Sequence, residues 1–401
     1  MNKERHAILY NDEQLGPYPL EKLRRVDRIT TERIGMPSRR REDESVDVRA
    51  AKGEFGEKVR LGAMEFIDKE PIFRAYFDVN NALGNIELDP VAPVKSELPD
   101  DPEVLTRHIK KLCYFMGTDM VGICRLPQEV FYSHNAQGEE LPPQDYKYAI
   151  VLLCGKTRET VYASYGNEWI DDAVSMQVYQ KLVCQSTVLA SYIRRMGYPA
   201  SVNAVPKYSA IMPRLVLEAG LGEGSRMGIA VNPFLGALIK TAAVFTDLPL
   251  VPDKPIDFGL QEYCEKCRIC ADNCLVNAIP HGPKEEFNGY LTWHIKPENC
   301  AVHTRTNRYG KVCERCVKLC PWSRPDCRPE DFANWDGDIK YLHESADRRA
   351  KWLKEHDYIC DEENGKKWWF PMRWKDGRYV MTEEWDYDMH YRRFIKKGQV
   401  K

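Results

Sequence analysis

Cys264-Glu-Lys-Cys267-Arg-Ile-Cys270-Ala-Asp-Asn-Cys274 opens the stretch that decides how this 401-residue chain is read, and Cys313-Glu-Arg-Cys316-Val-Lys-Leu-Cys320-Pro321 closes it. Cys300, with twelve residues between it and Cys313, completes a set of eight. A [4Fe–4S] cube is held by four thiolates. Three closely spaced cysteines on a tight loop supply three of them, and the fourth comes from elsewhere. Zinc also takes Cys-x-x-Cys pairs in tetrahedral sites, but it does not call for two such runs with a terminal Cys-Pro. The spacing therefore predicts two [4Fe–4S] clusters and a protein that moves electrons.

In two-cluster ferredoxins the fourth cysteine of each run crosses to the other cluster. That predicts Cys264, Cys267, Cys270 and Cys320 around cluster one, and Cys274, Cys300, Cys313 and Cys316 around cluster two. Leu275 departs from the pattern, standing where the ferredoxin run has proline. The other six cysteines (Cys113, Cys124, Cys154, Cys184, Cys327, Cys360) are scattered. Burial as small apolar residues is expected for them, above all for Cys154 in the run AIVLLC.

Composition is that of an ordinary globular protein, 43% hydrophobic and 29% charged. The net charge of −2 implies no global pull toward nucleic acid or anionic membrane. No run of apolar residues is long enough to span a bilayer. Arg24-Arg25 and Arg39-Arg40-Arg41 are not followed by the apolar region of an export signal. A cytoplasmic location is expected for the chain as given, and an exported one if it is a trimmed mature form.

Four regions are expected. Residues 1–102 are polar, with little apolar periodicity, and read as an irregular covering region with short helices; Pro90, Pro93, Pro99 and Pro102 mark its end as a linker. Residues 103–255 alternate helical and strand patterns, which argues a layered α/β core. There the pattern predicts helices near 103–117, 169–196 and 209–219. It predicts strands near 120–124, 148–154, 200–205, 228–231 and 242–250. Residues 256–330 are the cluster module. Residues 331–401 carry six of the nine tryptophans and are expected to wrap onto the core or cover a cofactor. A two-cluster carrier is a far smaller protein, so the surplus argues for a second cofactor and a substrate pocket.

The stretch EAGLGEGSRMG (218–228) packs four glycines into nine residues without forming G-x-G-x-x-G or a P-loop. By spacing it is a glycine-rich turn ending a helix. Taken with TDLPL (246–250), YQKLVCQSTVLASYIRRMGYPA (179–200), LGPYPLEKLRRVDR (15–28) and the two cysteine runs, it resembles the catalytic subunits of corrinoid- and iron–sulfur-dependent reductive dehalogenases, relatives of epoxyqueuosine reductase. The resemblance covers most of the chain. It implies an α/β (α+β) fold: a nitroreductase-like corrinoid-binding core holding base-off cobalamin beside a bacterial-ferredoxin-like two-cluster module. The usual twin-arginine signal of exported members is missing from this sequence. The Asp-x-His-x-x-Gly frame that places a histidine on cobalt is broken, because Arg393 follows Asp388-x-His390 where glycine is required.

The same resemblance implies the catalytic residues: Tyr179 as proton donor, Arg226 as the cation that favours its anion, and Asn203 framing the pocket. Reductive cleavage, R–X + 2e⁻ + H⁺ → R–H + X⁻, needs a proton at the carbon that loses X. A phenol with an ordinary pKa near ~10 is a poor acid until a neighbouring cation favours tyrosinate. Tyr162 and Tyr165 compete for the donor role. Packing on a long amphipathic helix is the alternative for Tyr179, and local backbone bonding is the alternative for Asn203.

Two other functions are carried alongside. An epoxyqueuosine-reductase-like enzyme acting on tRNA calls for a basic groove with stacking aromatics, whereas the basic runs here are short. A non-catalytic electron-transfer subunit predicts clusters without corrinoid. The expected partners are a small organohalide, chlorinated or brominated, and an external low-potential donor, ferredoxin or flavodoxin, because no nicotinamide or flavin fingerprint is present. No nucleic-acid partner is expected, and nothing in the sequence names a membrane partner.

Overall fold

The computed structural model describes residues 14–65, 71–164, 169–306, 312–324, 327–358, 368–369 and 372–381. Its centre is a four-stranded sheet in the order Met120–Arg125, Tyr148–Gly155, Ile239–Thr246, Ala200–Asn203. Every neighbouring pair is antiparallel. The Tyr148–Gly155 strand reads as a continuous apolar run because both of its faces are covered. Ile150 and Leu152 join Ile123 and Val244 under one helical layer. Ala149, Val151 and Leu153 join Phe245 under the other.

The first layer is the 27-residue helix Trp169–Arg195 together with Pro102–Phe115. Val178, Leu182, Leu189 and Ile193 of the long helix meet Leu105 and Ile109 of the shorter one against the sheet. Asp101 caps the shorter helix by accepting from Glu103 N, and Pro102 occupies its first turn, where no donor is needed. The long helix stops at Gly197, which has φ +85; a Cβ there would lie 2.7 Å from Lys95 Cα. Only glycine suits both the left-handed backbone and that approach. The proline-rich linker is fastened here, with Ala92 N donating to Arg194 O and Ser96 N to Met196 O.

The second layer holds the Met212–Glu218 helix, the cluster module and the chain that follows it. Phe234, Phe258, Trp322, Phe332 and Trp335 belong to one buried cluster with Leu215 and Val216. Trp369 is buried with Val161, Tyr162 and Ile170. The helix Ile339–Glu355 sets Leu353 against Ile269 and Leu319 of the module. Trp335 and Trp369 are thus core residues, Trp352 is half-buried and Trp368 is exposed. Trp385 and the side chain of Trp374 lie outside the described residues.

Two expectations change. The N-terminal region is less irregular than its composition suggests: Pro71–Gly84 forms a 14-residue helix on the long helix, with Asn80 Nδ2 donating to Met176 O. Its buried stripe is narrow, Phe73 and Asn80 two turns apart, and escapes a periodicity search. The strand expected at 228–231 shrinks to Ala230–Val231, paired with Glu223–Gly224. The glycine-rich turn closes on itself: a Cβ on Gly222 would sit 2.6 Å from Val231 O. Among the described residues no helix is long and apolar enough to cross a membrane.

Candidate functional site

The cysteines of the module crowd together. Cys320 and Cys264 are the thiols that most strongly affect Cys270, followed by Cys316 of the other predicted set and then Cys267. Cys313, Cys300 and Cys274 are those that affect Cys316. Burial pushes the Cys264 and Cys313 thiols up to about 12. Crowded thiols, two of them buried and five half-buried, with Cys300 exposed, make a donor set that fits iron–sulfur clusters. Among the described residues no three His, Cys, Asp or Glu side chains converge on a single-ion point. The sulfurs around a cube stand further apart than the ligands of one tetrahedral ion.

Arg226 serves this module. Its Nε and Nη2 donate to Cys264 O at 3.1 and 2.9 Å, and its Nη1 donates to Pro280 O and Gly282 O at 3.0 and 2.9 Å. The guanidinium lies over the Trp293 ring, 4.7 Å from its centroid. The expectation that Arg226 faces Tyr179 is therefore corrected. The tight hairpin aims it at the first cysteine loop, and carbonyls occupy its planar fork.

Tyr179 sits half-buried on the long helix. Its cationic neighbours are two lysines. Lys240 Nζ stands 4.9 Å from the ring centroid, and Lys156 is the largest charge acting on the hydroxyl. Antiparallel register brings the lysines together: Lys240 opposes Cys154, two residues before Lys156. Burial raises the Tyr179 pKa, and Lys156 works against it. Tyr208 is hydrogen-bonded to Tyr179 and donates its own proton to Thr241 O at 2.9 Å.

Behind the phenols lies a buried ion pair, Lys156 with Glu314. Ser175 Oγ donates to Glu314 Oε1 at 3.0 Å. Burial alone would push the Glu314 carboxyl up, but Lys156 and Lys240 outweigh it and hold the pKa below the usual range. Glu314 lies between Cys313 and Cys316, so the second cysteine run reaches the Tyr179 neighbourhood directly.

Asn203 is fully buried, and its polar atoms serve the loop that follows its strand. Oδ1 accepts from Ser209 N at 2.6 Å, Ala210 N at 3.2 Å and Ser209 Oγ at 3.1 Å, while Nδ2 donates to Met212 Sδ. It staples the loop that carries Tyr208 and presents no free group to a pocket. Tyr162 is buried and donates to Ser323 O of the cluster module. Tyr165, Cys360 and the segment from Asp388 to Arg393 lie outside the described residues. Cys113, Cys124, Cys154 and Cys327 are buried as expected, and Cys184 is exposed.

Sequence reasoning missed Lys156, Lys240, Glu314 and Tyr208. The one local signal was a lysine abutting each of two apolar strands. Four of the described histidines are engaged away from this site: His108 with Tyr192, His343 with Phe258 O, His281 with Asp272 and His356 with Trp352 O.

A two-cluster module docked on an α/β core, with a tyrosine–lysine site at the join, is the arrangement of an iron–sulfur protein. Residues 263–323 match the family model described as 4Fe-4S dicluster domain. Over most of its length the chain is similar to reductive dehalogenases. It is 32% identical over 273 residues to tetrachloroethene reductive dehalogenase of Sulfurospirillum multivorans, covering 59% of this chain and 53% of that one. A solved catabolic reductive dehalogenase in complex with 3-bromo-4-hydroxybenzoic acid superposes with a TM-score of 0.81 at 32% identity, covering 94% of this chain and 55% of that one. A reductive dehalogenase structure described in terms of B12-dependent dehalogenation superposes with a TM-score of 0.81 at 31% identity, with the same coverage. The chain spans about half the length of these relatives.

Proposed function

We propose that this chain is the corrinoid- and cluster-bearing unit of a reductive dehalogenase, catalysing R–X + 2e⁻ + H⁺ → R–H + X⁻. The observation that carries this is the meeting of Tyr179, Lys240 and Lys156 with Glu314 of the second cysteine run. A proton donor and an electron-delivering loop are thereby brought to one place. When bound, the corrinoid supplies the low-potential metal centre that takes halide from carbon. The sheet and long helix are its nitroreductase-like holding core, and regions 1–102 and 331–401 cover it.

Tyr179 holds the proton delivered to carbon. Lys240 and Lys156 favour the tyrosinate left behind, and Tyr208 fixes the hydroxyl's direction. Asn203 is a positioning residue for the Tyr208 loop. The thiolates Cys264, Cys267, Cys270 and Cys320 hold one cluster, and Cys274, Cys300, Cys313 and Cys316 the other. An external one-electron donor of ferredoxin or flavodoxin type supplies the electrons. The aryl bromide bound by the similar solved protein supports chlorinated or brominated organics as the substrate class.

The test is anaerobic reconstitution of the full chain with iron, sulfide and cobalamin. Expected are about eight irons and one cobalt, with halide release from a bromophenol or chloroethene driven by reduced viologen. Full loading with no halide released from either class, or turnover of an epoxyqueuosine tRNA stem loop instead, overturns the proposal.

A further inference from the structure

We propose that the buried Lys156–Glu314 ion pair is a coupling device: it sets the charge felt both by the second cluster's thiolates and by the Tyr179 hydroxyl, so that electron arrival and proton departure influence one another. This rests on the reading of Tyr179 as the proton donor.

The two side chains are only 3% and 5% exposed. A buried ion pair contributes little to stability for its desolvation cost, and an apolar pair of the same size does as well or better. Glu314 also adopts φ +47, a left-handed conformation that glycine takes with less strain. Its Oε2 is buried with no hydrogen-bond partner. Three unfavourable features thus meet on one residue, and all are explained if a carboxylate is needed at that point. It lies next to Cys313 and two residues from Cys316, both ligands of the second cluster. Lys156, at its other end, lies two residues beyond Cys154, which pairs with Lys240, whose Nζ stands 4.9 Å from the Tyr179 ring centroid; its charge lowers the Tyr179 pKa. Inside a protein a unit charge is screened less than it is in water.

The groups facing Tyr179 are Lys156, which follows the Tyr148–Gly155 strand, and Lys240 on the next strand. Tyr208 meets it from the loop after Asn203, and the charges of Glu314, from the second cysteine run, and of the exposed Asp47, from the N-terminal helix Val46–Ala51, also act on it. Of these, Lys156 and Glu314 are the pair joined to one another and to the cluster loop. Each turnover takes two electrons from the external donor and one proton. The Tyr179 O–H bond breaks as the C–H bond forms, and tyrosinate recovers its proton from solvent. Lys156 is a positioning residue in this scheme.

The experiment compares Lys156→Gln and Glu314→Gln with the unaltered chain, all reconstituted anaerobically. The first readout, with no substrate present, is the midpoint potential of each cluster from a reductive titration followed by EPR. Lys156→Gln leaves the carboxylate uncompensated and should shift the second cluster to lower potential; Glu314→Gln leaves the ammonium and should shift it higher. The first cluster should move in neither. The second readout is the alkaline limb of the dehalogenation pH profile. It should move up by about a unit in Lys156→Gln and down in Glu314→Gln. A purely structural strut predicts the same direction of change in both variants, or none, and either result overturns the proposal. Should Glu314→Gln fail to retain the second cluster, Lys156→Arg and Lys156→Gln decide it. A native potential for Arg and a lower one for Gln support the coupling; equal potentials sink it. Absent halide release from the fully loaded, unaltered chain would instead overturn the dehalogenase reading, while the potentials still judge the ion pair.

Discussion

Lys240 Nζ stands 4.9 Å from the centre of the Tyr179 ring, one residue along its strand from Thr241, whose carbonyl accepts the proton of Tyr208. One strand therefore supplies the cation and holds the second phenol.

Tyr179→Phe should lower halide release by roughly 10²–10⁴-fold, the usual loss on removing a positioned general acid. Iron and cobalt contents should stay at native levels, because the hydroxyl is hydrogen-bonded to Tyr208 and holds no thiol. Steady-state rates beside metal analysis check this. Tyr162→Phe should behave the opposite way: its hydroxyl bonds Ser323 O, so stability should fall by about 1 kcal/mol with the rate near native.

Lys240→Gln removes a charge that favours tyrosinate. We expect at least about a tenfold loss in rate, equivalent to about 1.4 kcal/mol in the barrier, and an alkaline limb displaced to higher pH. Lys240→Arg should keep the limb near its native position. A rate–pH profile of both variants is the measurement, and an unmoved limb in Lys240→Gln would remove Lys240 from the site.

Arg226→Ala should act on metal content. Without the guanidinium, the carbonyls of Cys264, Pro280 and Gly282 lose their donor, at about 1–3 kcal/mol for each group left unsatisfied. Iron should drop from about eight toward four as the first cluster is lost. If Arg226 instead worked beside Tyr179, iron would remain full and the pH profile would move.

Glu223 should make stability depend on pH. It is fully buried, accepts from Thr30 Oγ1, Phe258 N and Leu260 N, and burial raises its pKa to about 7 from 4.5. The folded state then binds the proton more tightly than the unfolded state. The stabilisation is fully present below pH 4.5 and is lost as pH rises through about 7. At about 1.4 kcal/mol per unit this amounts to a few kcal/mol. Glu223→Gln keeps an acceptor without the charge and should flatten the melting temperature across that window. An equally steep profile in the variant would assign the dependence to another group.

Much of this architecture is legible along the chain. The apolar run at 148–154 became the strand Tyr148–Gly155, and the helical spacing over 169–196 became Trp169–Arg195. Both signals are local, one period or one burial pattern repeated over neighbouring residues. The helix Pro71–Gly84 went unseen because its buried stripe is too narrow to dominate its composition. Asn203 carries a different task from the pocket-framing one that the resemblance implies, since its partners six to nine residues on form a loop that spacing alone does not describe.

The sequence by itself determined the cluster chemistry, because thiolates within two or three residues of each other must share a loop, and a loop of that size dictates what it binds. It also determined that Tyr179 lies on a long helix beside a sheet. Which cations surround that tyrosine was decided only by the tertiary structure. Arg226 looked suitable because it is always charged, yet a tight hairpin directs it to the Cys264 carbonyl. Lys240 and Lys156 arrive through strand register, and Glu314 reaches Lys156 across 158 residues of chain. Local spacing reports neighbours along the backbone, whereas a charge acts on whatever folding brings within a few ångströms of it.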